Sequence, residues 1–285
     1  MKLTNILIFS LFVTFANCQT KNKIAEKNYE LIADNDGILV EKFDSTIVDE
    51  NKYNHNNTIY KIGNSFKYNF EHVTPTGKII FFKVINDNSG WEFVEFENTD
   101  STTIKSVVIE VANGNPMANH IPDYNQTALV YKMGNNKGYS MSGAIENEAN
   151  VWIHPPRDKY FEILELNPFP YIKAPYKIGT KWTWNLGIGD HWADGRWKMW
   201  KGQIENEYNY EITDKRTLKT DLGEIECLVI VSKAKSRIGE TVLVAYFNPE
   251  LGFVKLDYTN IDGSKTNLEL TELVEKKTAG NNGYN

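Results

Sequence analysis

The sequence predicts an all-β protein with one large, curved antiparallel meander. This would be a half-barrel or an open barrel, with two pseudo-repeated halves as an option. Three observations predict it: apolar and polar residues alternate from residue 65 onward, turn-forming residues separate the alternating runs, and one motif occurs twice. A period of two is typical of strands that bury one face.

The alternation is clear in residues 66–71, where aromatic residues take the even positions and polar residues the odd ones. Residues that tolerate turn geometry follow at 74–77, 86–90, 248–252 and 262–263. We therefore expect a series of hairpins.

The repeated motif reads YKIGNSFKYNF at residues 60–70 and YKIGTKWTWNL at residues 176–186. Gly63 and Gly179 permit a tight turn, and the strand after each sends two large aromatic side chains to one face. The motif indicates two related halves, and chance similarity of short β-motifs is the alternative. No Pro- or Ser-rich linker separates the copies, which favours one continuous unit.

The first residues have the plan of a secretory signal peptide, with a charged start, an apolar run at residues 6–16 and a small-residue site. The apolar run is shorter than the roughly 20 residues of a membrane-spanning helix. The sequence thus predicts a signal peptide at residues 1–18 and export to the periplasm, to an outer-membrane anchor or to the medium.

Cys18 occupies the position of a lipidated cysteine and resembles that of the bacterial lipobox, with Ala16 two residues before it. Phe15 and Asn17 depart from the residues that a lipobox prefers. Lipid attachment at Cys18, with envelope association through it, and ordinary cleavage therefore both stay open.

The remaining domain organisation follows from composition. Residues 19–45 are predicted to be a flexible N-terminal segment, residues 46–275 a single β domain with repeats starting near 60 and 176, and residues 276–285 a flexible tail. Within the β domain, the weak helical pattern at residues 158–164 can equally be a strand.

Charge and cysteine content exclude several classes of protein. The net charge of −6 and the lack of a Lys/Arg cluster argue against a nucleic-acid partner. With Cys18 and Cys227 as the two cysteines, a disulfide framework is not expected. Cys227 alternates with Ile225 and Val229, which indicates a buried thiol.

Three segments in the C-terminal half resemble a family of uncharacterised exported bacterial β-proteins. They are the G-x-x-W strand at 175–182, the G-x-x-x-C hairpin at 222–227 and the Y-F-x-P-x-x-G-h-V hairpin at 246–254. The resemblance covers residues 170–275. It implies a strongly curved sheet similar to the half-barrel of lipoprotein-localisation factors, whose concave side can hold an acyl chain, and it transfers no catalytic residues.

Five of the seven tryptophans fall within residues 182–200. The chain departs from a typical member of that family in residues 187–204, which are unusually rich in tryptophan. Large aromatic rings serve lipid contact and glycan stacking equally well, and core packing is the alternative. Arg196 could lie across a ring as a cation–π partner. The candidate ligand-binding residues of this segment are Trp182, Trp184, His191, Trp192, Arg196, Trp197 and Trp200.

His154 and Arg157 flank two consecutive prolines that follow a predicted strand. The prolines stiffen the loop and hold both side chains in fixed positions. The pair is a further candidate for ligand binding, and a structural turn is the alternative.

Catalytic, metal and cofactor signatures are not found. The histidines are scattered singly, without zinc-ligand spacing, and the nucleophile-elbow, P-loop and dinucleotide patterns are absent. We therefore expect no catalytic residues, no metal and no cofactor. The carboxylates of Asp190 and Asp194, with His191, keep a polysaccharide hydrolase open as an alternative.

The sequence favours an extracytoplasmic, non-enzymatic binding or carrier protein, whose curved sheet holds a lipid, a glycan or a protein partner on its concave side. A secreted hydrolase and a structural envelope protein are the alternatives. The structural alternative predicts a concave face filled with side chains and without a cavity. The oligomeric state is left undecided.

Overall fold

The computed structural model describes residues 28–34, 36–44, 49–85, 90–121, 124–134 and 138–276. The signal peptide and Cys18 lie outside the described residues, as do residues 277–285 of the tail. The strands are β1 (Tyr29–Ala33), β2 (Leu39–Phe43), β3 (Ser65–Val73), β4 (Ile79–Ile85), β5 (Gly90–Glu95), β6 (Thr103–Ile104), β7 (Ser106–Val111), β8 (Thr127–Met133), β9 (Gly138–Glu146), β10 (Asn150–Ile153), β11 (Tyr171–Lys173), β12 (Lys181–Ile188), β13 (Ile204–Thr220), β14 (Gly223–Ser236), β15 (Gly239–Asn248), β16 (Gly252–Thr259) and β17 (Lys265–Val274). Short 3₁₀ helices span Lys52–Asn54, Phe96–Asn98, Pro116–Asn119, Lys159–Leu166 and Asp190–Trp192.

The main sheet is an antiparallel barrel that is nearly closed and has one unsealed seam. Twelve strands follow one another in the order β11-β10-β9-β8-β7-β3-β17-β16-β15-β14-β13-β12. Strand β4 pairs with β3, β5 and β6 beside this path. The predicted all-β class and curved antiparallel meander are confirmed, and the seam lies between β11 and β12.

The barrel consists of two runs of strands, and each run opens with a YKIG motif. The first run is β3 followed by β7 to β11, and the second is β12 to β17. Strand β17 closes the second run by pairing with β3 in a register from Lys265↔Val73 to Val274↔Ser65. The equivalent junction, where β11 ends the first run beside β12, is the seam.

The two YKIG copies make the same backbone hydrogen bonds. Gly63 N donates to Val111 O at 3.0 Å, and Gly179 N donates to Ile212 O at 2.7 Å. In return, Val111 N donates to the residue after Gly63, and Ile212 N to the residue after Gly179. Both glycines have positive φ, +87° and +90°, so the repeat corresponds to one turn geometry used twice.

Strands β1 and β2 form a separate two-stranded sheet within the segment that the sequence predicts to be flexible. Ile38 and Val40 are buried, and the side-chain amides of Asn147 and Asn150 donate to Leu39 O at 3.0 and 3.2 Å. The apolar pattern of this polar segment is too short to predict a strand. Its two strands are held instead by contacts with the β9–β10 turn.

The chain between β10 and β11 crosses the inside of the barrel. Phe161 packs against Phe70 with ring centroids 5.0 Å apart, and Leu166 O accepts hydrogen bonds from Asn206 on β13 and Thr241 on β15. Since these partners come from strands far apart in the sheet, residues 154–170 fill its concave side. We call this segment the plug.

Cys227 is 1 % exposed and packs with Ile225 and Val254. The prediction of a buried thiol is confirmed, and burial raises the pKa of this thiol to about 11. In the described part of the chain, no helix has the length and apolarity to cross a membrane.

Candidate functional site

Trp182 and Trp184 point into the barrel from β12. Trp182 stacks on Tyr210 at 5.2 Å, and Trp184 stacks on Tyr208 at 4.9 Å, because both tyrosines are their cross-strand partners on β13. Trp182 is 8 % and Trp184 4 % exposed. Alternation along β12 therefore places the two rings in the core, where their faces are already covered.

The tryptophan-rich loop after β12 packs against β5. The guanidinium carbon of Arg196 lies 3.8 Å from the centroid of the Trp91 ring, and Trp197 stacks parallel to Trp91 at 6.4 Å. The predicted cation–π contact of Arg196 is thereby confirmed. Trp197 and Trp200 are buried, whereas Trp192 is half-buried.

The polar residues of this loop hold its own backbone. Asp194 accepts from Arg196 Nε at 2.9 Å and from its Nη2 at 2.5 Å, and the arginine lowers the pKa of the aspartate. Asp190 Oδ2 accepts from Gly202 N at 2.9 Å. His191 is exposed beside Trp192, with ring centroids 4.9 Å apart. Both carboxylates thus have structural partners.

The inside of the barrel is filled by side chains. Many of its large side chains are under 2 % exposed, among them Tyr68, Tyr131 and Tyr258. The space between these three tyrosines, Pro155 and Pro170 measures about 10 Å³, room for a single water. Among the described residues, this space on the concave side is too small for an acyl chain.

A larger pocket of about 410 Å³ lies beside the start of the plug, and we call it the His154 pocket. Four parts of the chain contribute to it: Asp34 and Asp36 between β1 and β2, Met117, Ile121 and residues 124–126 before β8, the middle of β9, and the start of the plug. Its walls are Asp34, Asp36, Met117, Ile121, Tyr124, Asn125, Gln126, Ser142, Gly143, His154 and Arg157. The fold thus brings His154 and Arg157 together and separates them from the tryptophan-rich loop.

His154 is held from both sides of its ring. Nδ1 lies 2.8 Å from Pro155 O, so this nitrogen carries the proton and donates to the carbonyl. Nε2 is then free to accept, and Arg157 Nη1 donates to it at 3.4 Å. Burial and the neighbouring Arg157 lower the pKa of His154 to about 3, which keeps the imidazole neutral.

Glu165 lies next to His154 in the plug, with Oε1 3.5 Å from His154 Nε2. Its side chain is 6 % exposed, and this oxygen has no hydrogen-bond partner among the described residues. Burial raises the pKa of Glu165 to about 7, against an opposing effect of Arg157. The carboxyl is therefore only partly ionised at neutral pH.

Gly143 on β9 allows two polar side chains to approach the sheet. A Cβ at this position would collide with Gln126 Oε1 and would lie 2.5 Å from Tyr124 Oη. Any larger residue would force both side chains to move. Asp34 and Asp36 line the same pocket, and burial raises the pKa of both.

Sequence reasoning identified His154 and Arg157 but missed the rest of the pocket. Asp34, Tyr124 and Ser142 come from segments with no common motif, so only the fold places them together. The sequence carried one signal for Glu165: this acidic residue stands among apolar residues at 163, 164 and 166. All three of these neighbours are buried in the structure. Within the described residues, no group of three or more His, Cys, Asp or Glu is placed to hold a metal ion.

Comparisons with known proteins give structural similarity alone. No protein-family model matches the sequence, and no curated protein matches it. Three solved structures are similar: a presumed exported protein with a YmcC-like fold from Bacteroides fragilis, a presumed lipoprotein from Parabacteroides distasonis and the hypothetical lipoprotein YmcC from Escherichia coli.

The similarity is distant for all three. The Bacteroides protein is 10% identical with a TM-score of 0.38, covering 75% of this chain and 97% of its own. The Parabacteroides protein is 10% identical with a TM-score of 0.41, covering 76% and 97%. The Escherichia protein is 8% identical with a TM-score of 0.32, and the match covers 73% of this chain and 83% of the Escherichia chain.

Proposed function

We propose that this chain is a non-enzymatic binding protein outside the cytoplasm, in the periplasm or at the outer membrane, and that it holds the end of a glycan in the His154 pocket. The observation that carries the proposal is the polar lining of this pocket. Its volume of about 410 Å³ lies within the range of roughly 300–1,000 Å³ that is typical of small-ligand sites.

The chemistry of the walls favours a hydroxyl-rich ligand over a lipid. Asp34, Asp36, Gln126 and Ser142 supply hydrogen-bond acceptors and donors, and Tyr124 supplies a ring of the kind that packs against sugars. An acyl chain would offer no hydrogen bonds to these polar groups, so burying them against it would be unfavourable. The concave interior, which a lipid carrier needs, is occupied by the plug.

The test is a saturation-transfer NMR screen of neutral, amino and acidic mono- and disaccharides against the purified chain. Ile121→Trp is the blocking variant, because Ile121 lines the pocket and is 42 % exposed, so a larger ring narrows the pocket without entering the core. Ile178→Trp is the matched control, since Ile178 is 60 % exposed and outside the pocket.

We expect at least one saccharide to bind, Ile121→Trp to weaken it by about tenfold or more, and Ile178→Trp to leave it unchanged. Absence of binding across the panel, or binding that ignores Ile121→Trp, would contradict the proposal. In that case the structural alternative gains support, because the filled concave face is the packing that it predicts.

A further inference from the structure

Arg157 differs from two other arginines in its electrostatic partners. Arg196 is paired with Asp194 at 2.5 Å, and Arg216 with Asp214 at 2.8 Å. Among the described residues, no carboxylate lies within ion-pair distance of Arg157, and its hydrogen bond goes to the neutral His154. A half-buried guanidinium thus lines the His154 pocket without a direct counter-charge.

The neighbours of Arg157 direct it without neutralising it. His154 Nε2 accepts from Nη1, which occupies one of the five N–H donors of a guanidinium. Arg157 lowers the pKa of Glu165, but the two side chains do not form an ion pair, and Glu165 is only partly ionised at neutral pH. The remaining donors are therefore available to a ligand in the pocket.

A guanidinium in this setting selects a planar anion. Two parallel N–H groups match the two oxygens of a carboxylate, and such charge-assisted pairs are about twice as strong as neutral hydrogen bonds. Ser142 adds a hydroxyl that lines the same pocket. A carboxylate on the ligand would thus find at Arg157 the partner that Arg157 lacks.

The aspartates restrict which anion fits. Asp34 and Asp36 line the pocket too, so a ligand that is negative throughout would be repelled there. Hydroxyl groups, in contrast, donate hydrogen bonds to carboxylates. A molecule with one carboxylate and several hydroxyls meets both requirements when its acid group faces Arg157.

The geometry points to an acidic sugar, a uronic acid, as the ligand class of the His154 pocket, with its carboxylate bound by Arg157. This inference rests on the proposed function and adds the recognised group to it. His154 is a positioning residue, since it holds Arg157 through Nε2.

The experiment compares matched pairs of sugars by isothermal titration calorimetry at pH 7. The probes are the methyl glycosides of glucose, galactose and mannose, and the corresponding methyl uronides, so each pair differs by one carboxylate. In the configuration that fits, we expect the uronide to bind at least about tenfold more tightly than the neutral sugar.

Arg157→Gln should bring the affinity ratio of uronide to neutral sugar to about one. Arg216→Gln is the matched control, because it removes an exposed guanidinium outside the pocket, and the ratio should remain. Thermal unfolding checks that each variant is folded. If Arg157→Gln does not fold, the wild-type protein provides the test. Added NaCl should then weaken the binding of the uronide and leave the binding of the neutral sugar unchanged.

Two results would overturn the inference while leaving the proposed function intact. The first is that neutral sugars bind as tightly as their uronides. The second is that the affinity ratio of uronide to neutral sugar is unchanged in Arg157→Gln. If neither neutral nor acidic sugars bind, the proposed function and the inference fail together.

Discussion

Single buried polar residues connect the plug to the barrel wall. His72 on β3 lies with Nδ1 2.5 Å from Tyr160 Oη, and Tyr160 Oη lies 2.6 Å from Thr266 Oγ1 on β17. Asn260 donates to Thr266 Oγ1 at 2.9 Å. These bonds satisfy polar groups inside an otherwise apolar core, so each member is costly to remove.

His72 should make the stability of the protein depend on pH. Burial lowers the pKa of its imidazole from about 6.5 to about 4, so the unfolded chain binds the proton more readily. Its contribution is complete above pH 6.5 and is lost as pH falls towards 4, by no more than about 3 kcal/mol. We expect His72→Gln, measured by urea unfolding at pH 7 and pH 4.5, to lose less stability on acidification than the wild type.

Glu165 contributes with the opposite sign. Its raised pKa stabilises the fold below about pH 4.5, and this contribution is lost as pH rises through about 7. Since Glu165 is present in both proteins, the difference between wild type and His72→Gln reports on His72. Equal losses on acidification would show that His72 is not protonated on unfolding in this range.

At the scale of elements, the YKIG turn recurs because it starts a strand that carries two core rings. In each copy the glycine N–H bonds to the neighbouring strand, and the aromatic residue three positions later pairs with a residue two before that acceptor. Phe66 faces Ile109 and Trp182 faces Tyr210 in this equivalent register. The turn thus sets which residues point inward.

Gly179→Ala should therefore destabilise the protein through its backbone alone. The glycine has φ +90°, and a Cβ would meet nothing within 4 Å, so the expected cost is the roughly 1–2 kcal/mol of a left-handed L-residue. Gly195→Ala is the matched control, because its Cβ is also unobstructed and its φ is not positive.

The measurement is the free energy of unfolding in urea for both variants. We expect Gly195→Ala to stay within about 0.5 kcal/mol of the wild type. Equal stabilities of the two variants would mean that the turn tolerates a side chain and does not set the register.

At the scale of the molecule, side chains bring the two ends of the sheet together where backbone pairing does not. Across the seam, Tyr171 on β11 meets Trp182 at 5.6 Å, and Trp152 on β10 meets Trp184 at 6.1 Å. Phe169 of the plug adds a contact with Trp184 at 5.3 Å. The barrel is therefore closed at this point by aromatic packing.

Trp184→Ala should weaken this closure. The ring is 4 % exposed, and removing a buried aromatic side chain typically costs about 3–5 kcal/mol because a cavity remains. Trp192→Ala is the control for loss of an indole, since Trp192 is half-buried and on the loop. In urea unfolding we expect a clearly larger loss for Trp184→Ala.

If Trp184→Ala kept the stability of the wild type, the ring would not be a core residue. Trp184 would then again be a candidate ligand contact on the concave side, as the sequence alone suggests. This outcome would also contradict the role of the aromatic contacts in closing the barrel.

The predictable part of this molecule is the part with a local physical signal. Alternation identified the strands that begin at residues 65, 204 and 265, since burying one face imposes a period of two. The shared YKIG motif identified two equivalent turns, because a positive φ requires glycine. The hairpin β1–β2 was missed, since its stability comes from contacts with residues far away in the chain.

The amino-acid sequence by itself determined the all-β class, the meander and its repeat, because these depend on neighbouring residues. Only the tertiary structure decided that β17 seals one junction and β11 leaves the other open, that the plug fills the barrel, and that Trp182 and Trp184 are covered. It also decided that Arg157 and His154 share a pocket with Asp34. Each of these depends on which distant segments meet, a property that no local pattern of residues carries.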